Sequence, residues 1–168
     1  MIALKTQNRF PTEPWKTPLA KRIRQVEQAR AAGLSVNLML YEKADSSTFR
    51  YRVFNIAQAL EASTTWRAVY FFEAELAQIT DLVLTCQLIT VVRFRWTFAL
   101  ENLLTQAKLS GLPIAFDTDD LVFDLDQVPA LVNLQNIDQR TDFELNFWFS
   151  YVAMIQKTAQ LADAFITT

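Results

Sequence analysis

A chain of 168 residues is one domain or part of one, and a composition that is 51% hydrophobic supplies a core and excludes disorder. With no histidine, one cysteine and two glycines, it cannot carry a Ser-His-Asp or Cys-His nucleophile system, an HExxH zinc site, an intrachain disulfide, a CxxC motif or a glycine-rich phosphate cradle. The net charge of −2 hides an asymmetry: residues 1–32 hold seven basic and two acidic side chains, and the acidic excess peaks at Asp117, Asp119, Asp120, Asp124 and Asp126.

Residues 1–16 carry Pro11 and Pro14 without periodicity and read as an extended arm. Thr17 as N-cap and Pro18 at the first helical position predict a helix start. Leu19, Ile23 and Val26 form its apolar stripe, Lys21, Arg22 and Arg24 sit off that stripe, and Gly33 is placed for a left-handed cap. This basic helix is weighed as a membrane-surface contact and as an ordinary solvated face. Residues 35–40 form a short strand, 41–48 a polar loop, and Phe49, Val53, Ile56, Ala57 and Leu60 mark an amphipathic helix over about 49–62.

Trp66 to Phe72 reads as an aromatic-rich strand, and Glu73 to Thr80 as a short helix. Asp81 to Leu84 and Leu88 to Phe94 are two close apolar runs. The second is the better strand, being mostly β-branched. Leu100, Leu103, Leu104 and Ala107 mark a helix that Gly111 and Pro113 stop. Leu112 to Phe116 is a continuous apolar run of the buried parallel type, and it empties into the acidic segment. Residues 121–140 read as loop or short turns, 141–162 as a helix, and Ala164 to Thr167 as a strand.

Strands alternating with helices predict an α/β, Rossmann-like, doubly wound and mainly parallel sheet with helices on both faces. Ligands in such sheets sit beyond the carboxyl ends of the strands. The places to look are therefore just after residues 40, 72, 94 and 116. At the last of these, carboxylates mass at a strand mouth. Solvated caps are the bland explanation. A strand followed by Asp-x-Asp is also similar to haloacid-dehalogenase-type phosphatases, but the 48 residues after Asp120 hold one lysine, Lys157, in a helix. The same tripeptide is similar to the metal-binding motif of single-domain nucleotide-sugar transferases, whose second half does not follow.

Four segments taken together carry a further resemblance. Phe49-Arg50-Tyr51-Arg52-Val53-Phe54-Asn55-Ile56-Ala57-Gln58-Ala59-Leu60 is one, and Val91-Val92-Arg93-Phe94-Arg95-Trp96 is the second. Gly111-Leu112-Pro113 running on to Phe123-Asp124 is the third, and Gln160-Leu161-Ala162-Asp163 running on to Thr168 is the fourth. In this order and spacing, over about 35–168, they resemble the N-terminal, acceptor-side domain of bacterial GT-B glycosyltransferases of the group-1, family-four-like type. The resemblance implies residues 1–34 as arm and basic helix and 35–168 as the Rossmann-like domain. It implies transfer of a sugar from a nucleotide-sugar to a glycan or lipid-linked acceptor in polysaccharide biosynthesis. The donor would be held by a C-terminal domain, and the isolated chain would be inactive.

Under that resemblance Asp117 is the candidate acid or base. Arg50, Arg52, Asn55, Arg93, Arg95 and Trp96 are the candidates for acceptor or anion binding. Asp117, Asp119, Asp120 and Asp124 form the acidic cluster. The arginines have a second explanation, as neutralisers of those carboxylates. No cofactor and no metal is assigned. The segment from Phe143 to Ile155 is apolar almost all round. It predicts packing on the sheet and on a second domain or subunit, with cover by residues 1–34 as the other option. A stand-alone, non-catalytic assembly domain that uses this helix is the alternative function. Nucleic-acid binding is not expected. Cys86 reads as an inert core thiol. The polar start lacks a secretory signal, and the run from Leu145 to Ile155 is too short to span a bilayer. A cytoplasmic protein, peripheral to the inner membrane at most, is expected.

Overall fold

The computed structural model describes residues 13, 15–44, 47–134 and 141–167. Residues 1–12 and 14 of the predicted arm over 1–16, residues 45 and 46 of the predicted loop over 41–48, residues 135–140 of the segment 121–140, and Thr168 lie outside the described residues. In chain order the elements begin with α1 (Leu19–Ala31), β1 (Ser35–Tyr41), a π turn (Arg50–Phe54), α2 (Asn55–Ala59), a 3-10 turn (Leu60–Ala62) and β2 (Trp66–Phe72). A 3-10 segment (Glu73–Gln78), α3 (Thr80–Val83), β3 (Leu88–Val92) and α4 (Phe98–Leu109) follow. The chain then forms β4 (Ile114–Thr118), a 3-10 turn (Leu125–Gln127), α5 (Val128–Leu134), α6 (Asp142–Ala159) and β5 (Ala164–Thr167).

The five strands form one all-parallel sheet in the order β2-β1-β3-β4-β5. This is the doubly wound α/β, Rossmann-like fold. On one face Val36, Leu38, Leu40, Ile89, Val91, Ile114 and Phe116 meet Val26 and Ala29 of α1, the α4 stripe, and Ile155 and Ala159 of α6. On the other, Met39, Tyr41, Ala68, Tyr70 and Val92 meet Phe49, Val53 and Ala57. Period-2 alternation in the strands assigns the two sets.

Several expectations are corrected. Arg22, placed off the α1 stripe, is buried at 3% exposure. It shares the buried helix face with Val26 and Ala29, and its guanidinium reaches the edge of β2, where Tyr70 and Glu75 take up the charge. Thr17 does not cap α1. Pro18 is the N-cap without a side-chain bond, and the Thr17 carbonyl instead accepts from Arg22 Nε at 3.0 Å. Ile56 is exposed, because the π turn shifts the phase of the following helix. Asp81 to Val83 is helical. Residues 128–134, within the segment predicted as loop or short turns, form α5, whose Val128 and Val132 bury against Val152 of α6. The strand at 112–116 runs instead from Ile114 to Thr118, so Asp117 and Thr118 are ladder residues and buried. α1 packs on β1 and β2; of the segment weighed as cover for α6, residues 1–12 and Pro14 lie outside the described residues. Gly33 and Gly111 do take the left-handed conformation (φ 74° and 72°) that ends α1 and α4. No helix among the described residues is long and apolar enough to cross a membrane.

Candidate functional site

The chain leaves β1 toward β2 on one side and later returns to β3 on the other. The carboxyl ends of β1 and β3 therefore part at the topological switch point, where open α/β sheets hold ligands. A cleft of about 280 Å³ opens there, lined by Tyr41, Glu42, Lys43, Ser47, Thr48, Arg93 and Tyr151. It offers hydroxyls, one carboxylate and two cations, a set that hydrogen-bonds hydroxyl and phosphate groups. A larger hollow, about 640 Å³, lies along β2, away from this charge. We place the candidate site at the smaller one, because charge and backbone strain converge there.

The strain is at Arg93. It takes φ 41°, the only non-glycine at positive φ among the described residues. Such a conformation costs about 1–3 kcal/mol and persists where the surroundings enforce it. Here the Arg93 N–H donates to the Asp117 carbonyl at 2.9 Å. Its Nε donates to the Tyr151 hydroxyl at 3.3 Å, and Nη1 donates to Asp120 Oδ2 at 2.7 Å with Asp119 Oδ1 at 3.6 Å. Burial alone would lower the pKa of Arg93. Tyr151 and the carboxylates of Asp120 and Asp119 outweigh it and hold the group above its ordinary value.

Two further ion pairs flank the cleft. Arg95 donates from its backbone N–H and Nε to Glu42 Oε1, both at 2.8 Å, and from Nη2 to Oε2 at 2.7 Å. That fork is the main reason the pKa of Arg95 is raised. Arg52, projecting from the π turn, pairs with the carboxylate of Asp117. Asp117 is almost fully buried. Burial pushes its carboxyl up from the ordinary value, with Arg52 opposing the shift.

The expected site residues thus divide. Arg52, Arg93, Arg95, Asp117, Asp119 and Asp120 gather at the carboxyl edge of β1, β3 and β4; Arg52 and Arg93 neutralise carboxylates of the acidic cluster, and Arg95 pairs with Glu42 instead. Arg50 is exposed beside the Tyr51 ring, and Asn55 is exposed on α2. Asp124 caps the 3-10 turn through the Asp126 N–H at 3.0 Å. Trp96 lies under Lys157, whose Nζ is 3.6 Å from the ring centroid, and its Nε1 has no hydrogen-bond partner among the described residues. Asp117 does not line the cleft. Sequence reasoning passed over Glu42, Lys43 and Tyr151. The rule placing ligands beyond strand ends pointed at residues 41–43, but Tyr151 lies mid-helix and carried only its aromatic character.

Among the described residues, no three His, Cys, Asp or Glu side chains converge to hold a metal ion. Cys86 is buried, with its thiol pushed up to about 11 by desolvation, so it stays a thiol at neutral pH.

No family model and no curated protein matches the sequence. A conserved protein from Enterococcus faecalis V583 is a solved structure similar to this chain. The identity is 11%, the TM-score is 0.44, and the match covers 80% of this chain and 92% of that one.

Proposed function

We propose that this domain is the acceptor-side half of a glycosyltransferase. In this reading it presents a sugar- or phosphate-bearing acceptor at the switch-point cleft, to a donor held by a separate nucleotide-sugar-binding domain. The observation that carries the reading is the strained Arg93 beside a cleft of hydroxyls, Glu42 and Lys43. Arg and Lys match phosphate oxygens, and the hydroxyls and Glu42 match sugar hydroxyls. The four ordered segments quoted above support the same class. Asp117 is the acid or base of this reading only if an acceptor displaces Arg52; otherwise Glu42, which lines the cleft, is better placed. The work would be done in the cytoplasm or at the inner face of a membrane.

The test is calorimetry on the chain as it stands. A sugar 1-phosphate is expected to bind saturably and to lose that binding in Arg93→Ala. UDP- and GDP-sugars are expected to give no heat of binding. Micromolar affinity for either nucleotide sugar would sink the half-enzyme reading.

A second reading, assembly through α6, is favoured by one observation. Phe143, Phe147, Phe149 and Met154 are exposed on that helix, Phe143 at 80%. Sedimentation equilibrium separates the readings. A dimer that Phe147→Ser abolishes supports assembly, and a monomer at all concentrations removes it.

A further inference from the structure

The larger hollow, about 640 Å³, plays no part in that function. It is a trough along the outer edge of β2, which pairs with β1 on one side and with no other strand among the described residues. Arg67, Ala68, Val69 and Tyr70 form the floor. One face of α1, with Lys21, Gln25 and Gln28, makes one wall. Phe54, Ala57, Gln58 and Glu61, from the helical segment after β1, make the other.

Backbone direction fixes what the floor offers. The Ser35 N–H donates to the Thr65 carbonyl at 2.9 Å and the Glu73 N–H to the Glu42 carbonyl at 3.2 Å. Odd-numbered residues therefore turn their peptide groups to β1, and even-numbered ones turn theirs outward. Three outward groups are closed. Ser63 Oγ accepts from the Trp66 N–H at 3.1 Å, Arg22 Nη1 donates to the Tyr70 carbonyl at 2.8 Å, and Glu75 Oε2 accepts from the Phe72 N–H at 2.9 Å. Between them the Trp66 carbonyl, the Ala68 N–H and carbonyl, and the Tyr70 N–H have no partner among the described residues. An open strand edge is a template for another strand. Recessed between helical walls, this one admits a single extended segment.

We propose that the trough takes an extended peptide of a partner protein as a sixth strand on β2, and that the peptide alternates acidic and apolar residues. The alternation follows from the walls. Side chains of Val69 and Phe71 point to the α1 face, and those of Ala68 and Tyr70 to the α2 face. Arg67, in phase with Val69, joins Lys21 on the α1 side. Successive side chains of an added strand point to opposite faces. Every second guest residue thus meets Lys21 and Arg67, and its neighbours meet Phe54 and Ala57. The β5 edge of a second copy fits less well, because Ala164 to Thr167 carries no acidic side chain.

The test is fluorescence polarisation with a fluorescein-labelled Val-Glu-Val-Glu-Val-Glu peptide and its Val-Lys counterpart. The acidic peptide is expected to bind saturably and at least about tenfold more tightly. Ala68→Pro removes an outward N–H without breaking the ladder to β1. It is expected to weaken binding about tenfold or more, with an unchanged far-UV spectrum. The Lys21→Glu/Arg67→Glu pair, which touches no strand backbone, is expected to transfer preference to the lysine peptide. Failure of the acidic peptide to bind, equal binding of both peptides, or binding that survives both variants would overturn the proposal. So would self-association of the chain that Ala68→Pro abolishes.

Discussion

Two clusters of charge brace this sheet, one at the edge of β2 and one at the carboxyl ends of β1, β3 and β4. They are chemically alike and differently placed. At the β2 edge, the Arg22 guanidinium bonds the Thr17 and Tyr70 carbonyls and both oxygens of Glu75. It also lies 5.0–5.4 Å from the ring centroids of Tyr70, Phe71 and Phe72. Glu75 in turn closes the Phe72 N–H. Arg22 is enclosed at 3% exposure and Glu75 is mostly covered at 16%, so a ligand would have to break the cluster to be held. At the carboxyl edge, Arg93, Arg95, Asp119 and Asp120 are partly exposed around an open cleft. Enclosed charge serves the fold. Charge at the water boundary beside a strained backbone can exchange an internal partner for a ligand.

The largest expected effect tests the enclosed cluster. Arg22→Ala strands the Glu75 carboxylate and uncovers the Tyr70 carbonyl, and breaking a buried pair in this way costs about 3–5 kcal/mol. A urea midpoint that falls by that equivalent, read by circular dichroism, agrees with the contrast. A loss no larger than that of Arg95→Ala would erase it. Arg95 is nearly half exposed, so its pair with Glu42 is screened and worth much less.

Much of the fold was legible in the sequence for a simple reason. Parallel strands are short, mainly apolar runs, and even the two edge strands, Trp66 to Phe72 and Ala164 to Thr167, fall where their composition put them. Gly33 and Gly111 punctuate because their φ values require it. The candidate site was legible only as a list. Glu42 lies 53 residues before Arg95, and Tyr151 lies 58 after Arg93, so their meeting depends on sheet order and register. The acidic run from Asp117 to Asp124 looked like one cluster. The pleat divides it, since Asp117 turns to α2 and Arg52 while Asp119 and Asp120 pass the strand end to Arg93. Arg22 was misplaced because its charge argued against burial, although it falls on the same helix face as Val26 and Ala29, four and seven residues on.

A smaller effect sharpens the open cluster. Arg93→Gly relieves the left-handed backbone and is expected to raise stability by about 1 kcal/mol, while removing the guanidinium the cleft needs. A higher melting temperature together with lost sugar 1-phosphate binding is the signature of strain kept for function. A lower melting temperature would mean that the contacts to Asp120 and Tyr151 outweigh the strain, and the carboxyl edge would then resemble the β2 edge.

The smallest effect is a slope. Burial raises the carboxyl pKa of Asp117 above its unfolded value even with Arg52 beside it. As pH rises through the ordinary aspartate range, the unfolded chain ionises this group first and the folded chain keeps its proton. The folded state then binds more protons than the unfolded one, so the contribution of Asp117 to stability falls until pH passes the raised value, and is flat above it. Asn cannot titrate. Asp117→Asn should fold and should gain on the parent as pH climbs from acid to neutral. The difference between urea midpoints at successive pH values reads it directly. If the parent gains on Asp117→Asn instead, the attraction of Arg52 exceeds the cost of burial. Asp117 would then belong with Glu75 among the structural carboxylates, and Glu42, which lines the cleft, would be left as the candidate acid or base.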